Sequence, residues 1–107
     1  MLKLAVKKNN KTAKTPVTAT EEYVVVDYPK NLENITSRNY SVRIGASDCT
    51  GVDISVNDQP WQPCRYAVGY WWFDWNNFQP GTHQLVARLH KRSGEYLISK
   101  RRRCKVI

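Results

Sequence analysis

Apolar residues recur at every second position in several short runs of this chain, and that period most restricts how it can fold. Tyr40, Val42, Ile44 and Ala46 alternate with Ser41, Arg43 and Gly45, and Val52, Ile54 and Val56 alternate with Asp53, Ser55 and Asn57. Leu85, Ala87 and Leu89 share one side of the run His83 to His90. A strand turns successive side chains to opposite faces, so each run reads as a β-strand with one buried face. Val42, Ile44, Val52, Ile54, Leu85, Ala87 and Leu89 are therefore expected to point into the core. No segment carries the helical period, and there is no internal repeat.

Four further runs read as strands: Tyr23 to Asp27, Trp61 to Arg65, Tyr70 to Trp75, and Tyr96 to Ile107. Turn residues separate them at Tyr28-Pro29, Asn57-Asp58-Gln59-Pro60, Asn76-Asn77, Pro80-Gly81 and Arg92-Ser93-Gly94-Glu95. About seven short strands at such spacing are the pattern of a β-sandwich. The 107 residues fit one domain, whose core can be stable without metal or disulfides. The chain is thus expected to be all-β, a seven-stranded antiparallel immunoglobulin-like sandwich over residues 22–107 with a basic N-terminal extension. That extension, residues 1–21, has no apolar period and reads as a flexible arm.

Charge is distributed unevenly. The net charge is +8, yet residues 21–97 sum to −2, while residues 1–20 and 98–107 contribute +5 each and contain no acid. The cations concerned are Lys3, Lys7, Lys8, Lys11 and Lys14 at one end and Lys100, Arg101, Arg102, Arg103 and Lys105 at the other. Both faces of the last run are charged near 100–103, so that stretch is expected to project past the sheet. One or two cations protect an edge strand from aggregation; three consecutive arginines exceed that need. Runs of one sign mark solvated tails or polyanion-binding arms, and arginine forks suit phosphate. These ten residues are the candidate polyanion site.

Tyr66, Tyr70, Trp71, Trp72, Phe73 and Trp75 crowd into ten residues, with Trp61 just before. Alternation sends Trp71, Phe73 and Trp75 one way and Tyr70, Trp72 and Asp74 the other, and the set without the acid is the better core set. Two readings remain for the other set. Trp72 packs under the 62–69 segment or against arginine side chains, as large aromatics usually do. Otherwise Trp61, Tyr70 and Trp72 form an aromatic platform that stacks on sugar rings or bases or anchors a protein.

At this point the chain resembles bacterial immunoglobulin-like domains of the early-set type. The run Gly51-Val52-Asp53-Ile54-Ser55-Val56-Asn57-Asp58-Gln59-Pro60-Trp61-Gln62-Pro63 resembles their strand–turn–Trp hairpin, and Pro80-Gly81-Thr82-His83-Gln84-Leu85-Val86-Ala87-Arg88 resembles their penultimate strand. The resemblance covers about residues 22–107 and implies a sandwich that serves as a spacer, dimerisation, sugar-binding or docking module. The cysteine pair of antibody-type domains is missing, because the runs 40–46 and 83–90 contain no Cys.

Catalytic motifs are lacking: there is no G-x-S-x-G, H-E-x-x-H or phosphate loop. His83 and His90 lie seven apart on one strand and so face opposite sides, with His83 expected to be packed and hydrogen-bonded. Cys49, Cys64 and Cys104 show no metal-ligand spacing, and the odd count opposes a fully paired disulfide framework. Buried free thiols are expected, although Cys49 and Cys64 could bridge on adjacent strands. The apolar run at the N-terminus is too short for a signal peptide, and no segment is long enough to span a membrane, so a cytoplasmic location is expected.

The leading expectation is a non-catalytic accessory or docking module, not an enzyme and without cofactor or metal. Its basic ends would anchor it to a polyanion, RNA or DNA, within a larger assembly. The alternatives are a carbohydrate-binding module using the aromatic platform, and a subunit docking on an acidic protein surface in a larger complex.

Overall fold

The computed structural model describes residues 21–107, and these form two β-sheets packed face to face with no helix. The strands are β1 (Val24–Tyr28), β2 (Glu33–Ile35), β3 (Asn39–Ala46), β4 (Gly51–Val56), β5 (Gln62–Pro63), β6 (Arg65–Ala67), β7 (Tyr70–Asn76), β8 (Gly81–His90), β9 (Tyr96–Ile98) and β10 (Arg102–Val106). The smaller sheet has the order β1-β3-β7-β6. The larger has the order β2-β10-β8-β4-β5, with β9 also paired to β8.

The seven expected runs map onto this frame. Two of them divide: 61–65 splits at Cys64 into β5 in the larger sheet and β6 in the smaller, and 96–107 splits into β9 and β10, both against β8. The additional strand β2 arises because the chain leaves the smaller sheet after β1, through a cis Tyr28–Pro29 bond and a fully buried Pro29, and joins the larger sheet. There it runs parallel to β10, while every other pairing is antiparallel.

The core is what alternation requires. Val42, Ile44, Ile54, Leu85, Ala87 and Leu89 are completely shielded and Val52 nearly so, joined by Val26, Ile35, Trp75, Cys104 and Val106. Burying a side chain of this size stabilises by roughly 1.5–3 kcal/mol, so these positions fix the register, since a one-residue slip would turn them all to solvent. Trp71 and Phe73 are half-buried against the same cluster, and Trp75 is buried within it.

The C-terminal run does not project past the sheet. Arg102 to Val106 pairs with β8 on one side, and Cys104 to Val106 pairs with β2 on the other. Buried Cys104 and Val106 give β10 an apolar face that the arginines obscure in the sequence. They anchor it inward and turn Arg103 and Lys105 outward.

Candidate functional site

Two of the candidate surfaces lie on the outer faces of the sheets. Of the polyanion candidates, Lys3, Lys7, Lys8, Lys11 and Lys14 fall outside the described residues. Lys100 and Arg101 sit in the exposed link between β9 and β10, Arg103 and Lys105 are exposed on the outer face of β10, and Arg102 is half-buried. Arg103 stands beside Gln84 and Lys105 beside Thr82 on β8, with Asn34 of β2 on the far side of Lys105. This patch is cationic with neutral polar neighbours.

Most of the domain's other cations are ion-paired, Lys30 and Arg38 being the exceptions among the described residues. Arg43 pairs with Asp27, Arg65 with Asp74, Arg88 with Asp53, Arg92 with Asp48 and Arg101 with Asp58, while Lys91 pairs with Glu22 and Glu95. Lys100, Arg102, Arg103 and Lys105 pair with no carboxylate of the described residues. Glu33, the acid beside Cys104 in the β2–β10 ladder, instead accepts hydrogen bonds from Tyr40 and from the Lys30 N–H.

The platform of Trp61, Tyr70 and Trp72 does not exist as one surface. Tyr70 and Trp72 face outward from the smaller sheet, whereas Trp61 precedes β5 of the larger sheet and packs on Arg88 there. Alternation tells which side of a strand a residue takes but not which sheet the strand joins. Trp72 is half-buried, with Arg43 and Arg65 beside it in register, and its Nε1 donates to the Ala67 carbonyl at 2.9 Å. Its packing under the 62–69 segment is therefore the reading the structure supports. Tyr70 is covered by the Arg43 guanidinium, 4.1 Å from its ring centre.

Each outer face carries an arginine held between two aromatic rings beside an aspartate. Arg43 lies 4.1 and 4.7 Å from the ring centres of Tyr70 and Tyr28, and its Nε is 3.4 Å from Asp27 Oδ2, in range for charge attraction but not aligned as a hydrogen bond. Arg88 lies 4.5 and 4.3 Å from the rings of Trp61 and Tyr96 and donates to Asp53 Oδ2 at 2.9 Å. His90 Nε2 bonds the same oxygen. Burial works to raise the Asp53 carboxyl, but the bonds from His90 and Arg88 outweigh it and hold it below the ordinary carboxylate value. Such stacks stiffen the sheet surface, each contact contributing on the order of 0.5–1 kcal/mol. Pairs far apart in sequence, such as Asp53 with Arg88, are invisible until strand order is known.

His83 and His90 do face opposite sides: His83 is buried at the sandwich end, and His90 lies outside. Among the described residues no three of His, Cys, Asp and Glu converge as a metal site. Cys49, Cys64 and Cys104 are free thiols. Among the described residues no helix is long and apolar enough to cross a membrane.

A third surface was not foreseen from the sequence. At one end of the sandwich, the β4–β5 turn, the end of β7 and the β7–β8 loop enclose a cleft of about 430 Å3. Its rim is rich in asparagine and glutamine, and Asn57, Gln59, Asn76 and Asn77 among them read along the sequence only as turn formers.

No protein-family model matches the chain, and no curated protein is detectably similar to it in sequence. Solved structures share its fold. A fibronectin(III)-like module of CbhA from Clostridium thermocellum aligns over 78% of this chain and 94% of that one, with TM-score 0.67 and 15% identity. A modular endo-β-1,4-mannanase of glycoside hydrolase family 26 from Cellulomonas fimi aligns over 83% of this chain, with TM-score 0.64 and 18% identity. An engineered protein aligns over 92%, with TM-score 0.70 and 16% identity. The chain spans only 19% of the mannanase and 22% of the engineered protein. At such identities the likeness establishes the fold: a β-sandwich of immunoglobulin or fibronectin III type.

Proposed function

We propose that this domain is a non-catalytic docking module that seats on an anionic partner through the outer face of β10. The observation that carries the reading is the contrast in pairing. Arg43, Arg65, Arg88, Arg92 and Arg101 each have an aspartate, whereas Lys100, Arg102, Arg103 and Lys105 have no carboxylate among the described residues; Lys30 and Arg38 lack one too, but only the β10 cations stand together within six residues of chain. Arg103 and Lys105 are two residues apart on one strand face, so they stand about 7 Å apart. That row, flanked by Gln84, Thr82 and Asn34, offers exposed cations with neutral hydrogen-bonding neighbours. Such a surface gives affinity for a phosphate backbone without reading its sequence. Lys3, Lys7, Lys8, Lys11 and Lys14 would extend the same field.

A role as an appended module is supported by the mannanase neighbour, in which the matching region is a small part of a longer modular chain. The partner proposed first is RNA. The test is fluorescence anisotropy of a labelled single-stranded RNA titrated with the full chain at low salt, beside a labelled oligoglutamate peptide. Saturable RNA binding that is weakened by Arg103→Glu and Lys105→Glu supports the reading. Binding of the acidic peptide alone would replace RNA with a protein surface, and binding of neither would end it.

A further inference from the structure

We propose that the cleft at the β7–β8 end of the sandwich is a binding site for a neutral saccharide. This inference is independent of the cationic face of β10. The cleft joins an aromatic floor to a rim of primary amides. Phe78 packs on buried Trp75 with ring centres 4.4 Å apart, and both line the cleft together with half-buried Phe73. Around them the exposed side chains of Gln59, Gln62, Asn76 and Gln79 face solvent. Apart from Asn76 Oδ1, which accepts from Asn77 Nδ2, none of these four carboxamides is hydrogen-bonded within the described residues.

The chemistry of that rim selects the ligand. A carboxamide offers two donors and an acceptor, so a ring of them matches hydroxyl groups that both donate and accept. Trp75 backs this floor, and half-buried Phe73 and Phe78 offer apolar surface to the C–H face of a sugar ring. Among the described residues no lysine or arginine lines the cleft, and their one carboxylate there, Asp74, is neutralised by Arg65. A polyanion therefore has nothing to bind here, and a free cation finds no uncompensated charge. The volume lies within the ordinary range for small-ligand sites.

Part of the cleft's backbone frame is fixed in advance. Asn57 and the Gln79 backbone carbonyl are both bonded to the ring of His83, at 2.9 and 2.6 Å. A ligand would not have to order them, which favours affinity. Asn77 and Phe78 also line a second hollow of about 520 Å3 with Thr36, Ser37, Arg38 and Asn39, so the surface continues past the cleft, where it gains one cation.

The test uses the full chain with the neutral β-1,4-linked hexasaccharides of glucose, mannose, xylose and galactose, read by calorimetry and by tryptophan fluorescence. At least one should bind saturably at up to millimolar concentration, with an affinity unchanged by added salt. Gln62→Ala and Gln79→Ala, which remove solvent-facing groups only, should each weaken it by roughly twofold to tenfold. Arg103→Glu should leave it unchanged, and thermal melts should show the variants folded. Absence of binding to all four sugars overturns the proposal. So does binding that the glutamine variants leave intact, or that salt abolishes.

Discussion

Asn57 and His83 hold each other across the end of the sandwich, with Asn57 Nδ2 lying 2.9 Å from His83 Nδ1. The orientation is fixed from outside the pair. The Gln84 N–H donates to Asn57 Oδ1 at 2.9 Å, so the amide nitrogen must face the ring. His83 Nδ1 is then the acceptor, and its proton sits on Nε2, which donates to the Gln79 carbonyl at 2.6 Å. One chain of bonds thus ties the β4–β5 turn, strand β8 and the β7–β8 loop together.

Replacing Asn57 should therefore cost more than an ordinary surface substitution. Asn57→Ala removes both carboxamide bonds and leaves a residue without asparagine's tolerance for the left-handed region at φ 53°. Each lost bond is worth about 0.5–1.5 kcal/mol and the strained backbone about 1 kcal/mol, so the loss should total about 2–4 kcal/mol. Urea unfolding gives the number. Asn57→Gly, which tolerates the dihedral, should lose less, and equal losses would assign the whole effect to the hydrogen bonds.

The opposite sign is expected at Val68. It is 89% exposed at φ 52° and precedes Gly69 at φ 80° in the two-residue turn between β6 and β7. A β-branched residue is poorly suited to that region, whereas asparagine before glycine favours such a turn. Val68→Asn should stabilise the domain by about 0.5–1.5 kcal/mol in denaturant unfolding. A neutral or destabilising result would mean that Val68 makes an apolar contact outweighing its strain.

The three thiols make alkaline stability a measurable property of the core. Burial pushes Cys64 up to about 12, with Asp53 adding to it, and Cys104 up to about 11, with Glu33 adding to it; Cys49 is raised by burial as well. The unfolded thiols ionise near 9.0, below the folded ones, so the stabilisation is complete below pH 9 and is lost as pH rises through 11 and 12. The melting temperature should fall from about pH 9 upward, and Cys64→Ser should make that fall shallower. In the native state at neutral pH, maleimide should label Cys64 and Cys104 slowly, and all three thiols should label once the protein is denatured. An identical alkaline limb in Cys64→Ser would remove Cys64 as its source.

How far the sequence discloses this molecule depends on whether a feature is local. Val42, Ile44, Val52, Ile54, Leu85, Ala87 and Leu89 announce themselves through a period of two that lies within single strands. Strand β2 does not, because in a three-residue parallel pairing only Ile35 is buried. The break in 61–65 is hidden for a related reason: one residue, Cys64, separates strands belonging to different sheets. That break divides the supposed aromatic platform. The amide-lined cleft was hidden differently, since its residues come from the β4–β5 turn, β5, β7 and the β7–β8 loop and meet only through strand order.

The unpaired cations of β10 lead to a quantitative expectation. If Arg103 and Lys105 each neutralise a phosphate of single-stranded RNA, binding releases condensed counterions at both contacts. The slope of log affinity against log salt should then fall in magnitude by about 0.7 for each contact removed. Arg103→Gln and Lys105→Gln test this without inverting charge, and both side chains are exposed outside the core, so the fold should persist. Arg65→Gln is the matched control, because its charge is already held by Asp74 at 3.2 Å and it lies on the smaller sheet. It should change neither affinity nor slope beyond experimental scatter. Removing residues 1–20, which carry five lysines, should flatten the slope further if that segment lies along the same backbone. Affinity lost equally at every salt concentration would point to a shape-dependent contact instead of counterion release. A slope that responds to Arg65→Gln as strongly as to Arg103→Gln would show that only overall charge matters, and the outer face of β10 would lose its claim to be the docking surface.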